Sequence, residues 1–288
     1  GVTGILVVGT NVYVGGSFDM AGGTPASNVA VWNGSLWAPM GDGLGFGGIS
    51  NNAKGLSLVL AGTEIYAAGL ITKSGGTEIN RIAKWNGNTW SPIGSASNSP
   101  NNVVYALAMI GTDVYVCGEF DFAGGVAANN IAKWNGSSWS ALGSGINNGN
   151  VRAFAANGSD LYVGGDFTAA GGASANNIAK WNGTNWSALG VGVNRAVQAL
   201  AMINADLYVG GIFTTAGGAS VTKIAKWDGS NWSPLGSGVN NSFQTFSVGV
   251  KALAVIGTNL YVGGDFTIAG GNAANGIAKW DGNSWTTF

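Results

Sequence analysis

The chain has 288 residues, 46% of them apolar and only 9% charged, with a net charge of −1 and no histidine. With no basic run it cannot neutralise phosphates, which sets nucleic-acid binding aside, and no 18-residue apolar stretch offers a membrane span. The missing histidine excludes Ser-His-Asp and Cys-His catalysis, histidine-ligated zinc or copper, and the HExxH pattern.

From the N-terminus onward the chain repeats itself. Gly1 opens directly on a strand-like segment, and neither end reads as a signal peptide. A phrase of one apolar residue, a tyrosine and small residues ending in glycine recurs at Tyr13, Tyr66, Tyr115, Tyr162, Tyr208 and Tyr261, at spacings of 53, 49, 47, 46 and 53. Each is followed by W-[Asn/Asp]-G-x-x-W, giving the pairs Trp32/Trp37, Trp85/Trp90, Trp134/Trp139, Trp181/Trp186, Trp227/Trp232 and Trp280/Trp285. These six frames use all 12 tryptophans. Self-similarity at this period marks a repeat architecture.

Repeat three predicts four short strands. Val104 to Ile110 is an apolar run, Gly111-Thr112-Asp113 a tight turn, and Val114 to Phe120 a second strand. A Gly- and Ala-rich loop leads to a third strand, Asn130 to Trp134. Asn135-Gly136 is a strong two-residue hairpin signal before a fourth strand, Trp139 to Leu142. The repeats run over about 1–40, 55–94, 103–143, 150–190, 196–236 and 250–288, in a single domain. Four antiparallel strands per unit suit either a β-propeller or an open β-solenoid. The period is that of a propeller blade and is long for a solenoid coil. The expected fold is therefore an all-β, six-bladed β-propeller. The tryptophans would then fill the wedges between blades, each ring removing on the order of 150–250 Å² from water. Blade six would close the ring on blade one, and a fragment of a seven-bladed propeller is the alternative.

The phrase L-Y-V-G-G, a third strand, then N-G-x-x-W-x-x-L resembles the kelch repeat. Its fuller form, LYVGGDFT…GG…ANNIAKWNG..WSALG, is similar to repeats of large secreted bacterial surface proteins and of the fungal cortical marker for cell polarity. Repeat two departs from it at Ala67-Ala68-Gly69, and repeat one at Val31, where a lysine is usual. The resemblance implies fold far more than activity. The copper site of galactose-oxidase-like kelch propellers needs histidines this chain lacks, and the Asp-box of sialidase propellers is absent.

Little else points to chemistry. Glu119, Asp166 and Asp265 share one repeated position, whose equivalents in a ring would not face one another at the roughly 5–10 Å that paired glycosidase acids need. Pairing with Lys133, Lys180 and Lys279, or plain solvation, is the expected role. No cofactor is expected; Ca2+ held by scattered carboxylates and backbone carbonyls is the alternative, without any D-x-[DN]-x-[DN]-G loop. Gly43-x-Gly45-x-x-Gly48 lacks the strand–turn–helix setting of a dinucleotide motif. Cys117, the single cysteine, reads as a small buried apolar residue. Sequons such as Asn33-Gly34-Ser35 follow from turn preference.

Two linkers are expanded: Gly41 to Lys54 and Gly236 to Gly249. They carry Phe46, Phe243 and Phe246, which no repeat requires, beside Asn51, Asn52, Asn240 and Asn241. Irregular loops on a rigid scaffold are common binding sites, so these seven residues form the candidate interaction surface; the rings folding back onto their own loops is the alternative. The function expected is a non-enzymatic, secreted or cell-surface scaffold, of bacterial type. It would act by protein interaction, adhesion or self-association, with a carbohydrate-binding propeller as the alternative.

Overall fold

Period-two apolar alternation between glycine turns gives six four-stranded antiparallel sheets, seen in a computed structural model that describes residues 1–45, 54–94, 98–241 and 249–288. No α-helix occurs among the described residues, so none is long and apolar enough to cross a membrane. The chain is all-β, and its repeated sheets are propeller-like. It divides into two compact units: Gly1–Leu142 holds sheets one to three, and Gly143–Phe288 holds sheets four to six.

Sheet three shows the common plan. Its strands Val104–Ile110, Asp113–Gly118, Ile131–Trp134 and Trp139–Ala141 lie side by side in sequence order. Leu107 faces Val116, Val116 faces Ala132, and Ala132 faces Ala141. The register slips once near the start of the first strand, between Val104 and Ala106, and at the equivalent point of the other sheets. A bulge there adds local twist.

Two local details differ from the sequence reading. The loop between second and third strands contains a small hairpin of its own, Phe122–Ala123 paired with Val126–Ala127. Its tip is Gly124-Gly125 at φ +59° and +78°, the mirror-image turn that two glycines adopt without strain. The turn between third and fourth strands has four residues rather than two, because Trp134 pairs directly with Trp139. The Asn135 carboxamide oxygen accepts from the Ser137 and Ser138 amides (3.0 and 2.8 Å) and closes the turn.

The linker after each fourth strand pairs with the small hairpin of the following sheet. Ile146–Asn147 adds to Ala169–Ala170, and Val239–Asn240 to Ile268–Ala269. Single bridges do the same at Gly45 with Lys73, Pro100 with Ala123 and Val193 with Ala216. Linkers and small hairpins therefore share one side of their sheets, as the alternation of strand direction requires.

Within a unit, each sheet has a leading face toward the preceding sheet and a trailing face toward the next. The seam between sheets five and six buries Tyr208, Ile224 and Leu235 against Val250, Leu260, Val262 and Phe266. Equivalent residues form the seams four-to-five, one-to-two and two-to-three. The tryptophan pairs of sheets two, three, five and six sit at these seams. Partners across the third and fourth strands, each pair lies 5.3–5.6 Å apart between ring centroids and tilted by 45–52°. None of the twelve is exposed. The second indole donates Nε1–H to a carbonyl of the preceding linker: Trp90 to Met40 (3.0 Å), Trp139 to Asn98 (2.6 Å), Trp232 to Leu189 (2.9 Å) and Trp285 to Leu235 (2.8 Å). The same ring lies on the first glycine of its own sheet's small hairpin, where a Cβ would overlap it, at Gly124, Gly171, Gly217 and Gly270.

Trp232→Ala should cost about 3–5 kcal/mol of stability in urea unfolding, from lost burial and an unfilled seam. Gly217→Ala meets both a positive φ and the Trp232 ring, whereas Gly218→Ala meets open space at its positive φ. The first should therefore destabilise clearly more than the second, whose cost is about 1–2 kcal/mol.

Candidate functional site

The repeated lysines are matched by a carboxylate at the start of the second strand. Lys84 pairs with Glu64 (2.9 Å), Lys133 with Asp113 (2.9 Å), Lys180 with Asp160 (3.1 Å) and Lys226 with Asp206 (2.9 Å). This corrects the expected partners. The strand register sets Lys133 opposite Tyr115, two residues past Asp113, and leaves Glu119 beyond that paired stretch. Instead Tyr105 donates its hydroxyl to Glu119 (2.6 Å), Arg152 pairs with Asp166 (2.7 Å) and Lys251 with Asp265 (2.5 Å). In repeat one both members of the lysine pair are replaced, by Asn11 and Val31, and in repeat six Asn259 stands where the acid would be. The four pairs made by Lys84, Lys133, Lys180 and Lys226 are about a third exposed, so each contributes about 0.2–1 kcal/mol. Burial raises the phenols of Tyr66, Tyr115, Tyr162 and Tyr208 above the ordinary tyrosine value.

Cys117 is fully buried, and burial pushes its thiol well above the ordinary range, leaving no thiolate for nucleophilic chemistry. Asp281 takes the turn position that Asn135 and Asn182 occupy elsewhere. Its carboxylate accepts from the Asn283 and Ser284 amides (2.9 and 2.7 Å), which holds its pKa at about 2 against an ordinary 3.8. Among the described residues no three His, Cys, Asp or Glu side chains gather to hold a metal ion.

Of the candidate interaction residues, Phe46, Asn51, Asn52, Phe243 and Phe246 lie outside the described residues. Asn240 is exposed, and its carbonyl accepts from Thr267 N (2.9 Å). Asn241 takes the Thr267 hydroxyl on its Oδ1 (3.0 Å). Both thus tie the linker to the loop of sheet six, as Asn194 does in sheet five through Thr214 and Thr215.

Three surfaces escaped the sequence reading. A cavity of about 290 Å³ opens beside the first strands of sheets one and two, lined by Thr3, Ile5, Leu56, Ser57 and Tyr105. Thr3 Oγ1 donates to the Leu56 carbonyl (3.3 Å), and Ser57 Oγ accepts from Leu107 N (3.1 Å), so its polar groups are partly engaged. The leading face of sheet one carries two shallow apolar pockets of about 200 and 190 Å³, one lined by Val2, Phe18, Met20 and Trp37, the other by Val12, Trp32 and Trp37. The trailing face of sheet six exposes Ile277 and Phe288, the latter stacked on Tyr261. One signal pointed to these faces: terminal repeats of an array ordinarily turn polar on their outer side, and these keep the full apolar pattern.

No family model and no curated protein matches the chain. Among solved structures it is similar to the computationally designed Ika8 protein, with a TM-score of 0.54 and 17% identity. That match covers 97% of this chain and 70% of the designed one. At this identity the likeness is one of fold.

Cys117 should stay unreactive toward an aromatic disulfide reagent at pH 8 until denaturant unfolds its sheet, its labelling rate following the loss of tryptophan fluorescence. Asp281 binds its proton more weakly folded than unfolded. Its contribution to the turn is therefore complete above pH 3.8 and lost as pH falls through about 2. Asp281→Asn should keep the turn and abolish that acid-dependent change, read from the Asn283 and Ser284 amide shifts.

Proposed function

We propose that the chain is a six-bladed, kelch-like β-propeller that works without catalysis, as a secreted or cell-surface scaffold for protein interaction or adhesion. The observation that carries this reading is that the fold consumes its own repeated functional groups. Four of the six indole pairs fill seams, four of the lysines pair with carboxylates within their own sheet, and the turn carboxamides close turns. What remains for other molecules is low-charge surface, with apolar side chains such as Leu36, Val191 and Phe122 exposed upon it. The expanded linkers, with Phe46, Phe243, Phe246 and their neighbouring asparagines, are the proposed contact surface. The resemblance to secreted repeat proteins supports the location.

Carbohydrate binding is the second reading, favoured by the 290 Å³ cavity, whose lining includes Tyr105 and two hydroxyl residues, Thr3 and Ser57. A glycan array separates the two. The scaffold reading expects no discrete glycan hits, together with adhesion to protein-coated surfaces that falls at least tenfold when Phe46, Phe243 and Phe246 are all changed to Ser. Discrete hits lost on Tyr105→Ala would replace it with the lectin reading, and adhesion unchanged in the triple variant would remove the loop surface.

A further inference from the structure

We infer that sheet five binds a carboxylate side chain of a protein partner, held between Arg195 and Lys223. The inference rests on the scaffold reading and names the chemical group that the scaffold grips.

The neighbouring sheets show what belongs at this place. In sheets three, four and six an acid follows the second strand, at Glu119, Asp166 and Asp265. Each is answered from the first strand, by Tyr105, Arg152 and Lys251. Sheet four has the fullest set. There Asp166 accepts from the Arg152 guanidinium on Oδ2 (2.7 Å) and from the Asn150 amide on Oδ1 (2.9 Å), so one carboxylate joins a cation and a backbone N–H.

Sheet five has lost the acid and kept positive charge around its position. Ile212 stands where Asp166 stands, and Gln198 where Arg152 stands. Gln198 is no substitute: its Oε1 is buried and makes no hydrogen bond among the described residues. The Ala196 amide, equivalent to that of Asn150, meets no acceptor among the described residues either. Two cations flank the gap. Arg195 directly precedes Ala196, whose carbonyl accepts from Ile212 N (3.1 Å), and the Ile212 carbonyl in turn accepts from Lys223 Nζ (3.4 Å). Arg195 is exposed and Lys223 half-buried. Burial, and then the charge of Arg195, lower the Lys223 ammonium below the ordinary lysine value. Two like charges brought together in this way favour an anion between them.

No acid of the chain answers them among the described residues, whereas Lys84, Lys133, Arg152, Lys180, Lys226 and Lys251 all have one. The segment between Asn241 and Gly249, SFQTFSV, contains no acid. All of these groups lie in sheet five and its flanking linker, inside the unit Gly143–Phe288. The template for the missing group is an amino-acid side chain, Asp166, and the planar fork of Arg195 suits a carboxylate. What Asp166 does for sheet four from within, an aspartate or glutamate of the partner does for sheet five from outside.

The test uses the full chain, isotope-labelled, and a blocked tetra-aspartate peptide at low salt. The Ala196 and Lys223 amide resonances should shift saturably, with a dissociation constant of about 1 mM or tighter. Blocked tetra-asparagine should leave them in place. Lys223→Asn installs the residue that Asn130 and Asn177 already carry at this positive φ, so the variant should fold and bind about fivefold more weakly. Lys279→Asn removes the same charge in sheet six, where Asn259 replaces the acid, and should leave binding unchanged. Ile212→Asp returns the acid to the chain itself and should abolish peptide binding while the rest of the spectrum stays as in the wild type. Absence of the shifts, an equal loss in Lys279→Asn, or full binding by a folded Ile212→Asp variant would overturn the inference. Shifts produced by trigalacturonate and not by the peptide would also overturn it, assigning the site to an acidic sugar. The scaffold reading is judged separately, by the glycan array and by adhesion of the triple phenylalanine variant, so absent peptide shifts with adhesion intact would remove this site alone.

Discussion

The fold depends on one contact made repeatedly: a pair of indoles, facing each other across the third and fourth strands, set into the seam with the preceding sheet. In sheets two, three, five and six more than its own sheet seats the pair. Its outer ring needs the hairpin glycine beneath it and a carbonyl from the preceding linker for its N–H. Full burial of a ring of this size is worth on the order of 4–6 kcal/mol before the entropy of ordering is subtracted. A four-stranded sheet this short has little core of its own. It is stable because its neighbour supplies the second wall.

From that contact the other constants of the repeat follow. Glycine is required at the hairpin tip both for its positive φ and because the indole leaves no room for a Cβ. Asparagine or aspartate opens the turn between the two tryptophans because its side-chain oxygen closes that turn on two amides. The linker pairs with the next hairpin, which gives its N–H and C=O groups partners. The ion pair at the start of the second strand is peripheral by comparison: it is half-lost in repeat six and wholly replaced in repeat one without change to the sheet.

How much of this was legible depends on whether the information lay in periodicity or in contact between repeats. The four strands of each unit and a packing role for the tryptophans were readable, because strict repetition of Trp134/Trp139-type frames favours a scaffold use of the rings over sugar stacking on the outer ones. The small hairpin was missed, since Phe122 to Ala127 reads as loop by composition and only the two glycines betray it. The partner of Lys133 was misassigned because sequence proximity favoured Glu119, whereas the strand register brings Asp113 to it. The exposed faces of sheets one and six left a single sign, the unbroken apolar pattern of the terminal repeats, and it fell short of showing them. Val2 and Ile277 have the same identities as their buried counterparts, and only coordinates tell a covered face from an uncovered one.

The seams within the units reuse one set of parts: a valine or leucine from the first strand, the glycine or alanine opposite it, the tilted indoles and one shared carbonyl. No part of a repeat encodes how many repeats there are. Duplicating or excising a segment of roughly one period, cut between a fourth strand and the following first strand, would leave each remaining junction chemically the same. Copy number is then a variable that recombination can change in a single event, without waiting for compensating substitutions elsewhere in the gene.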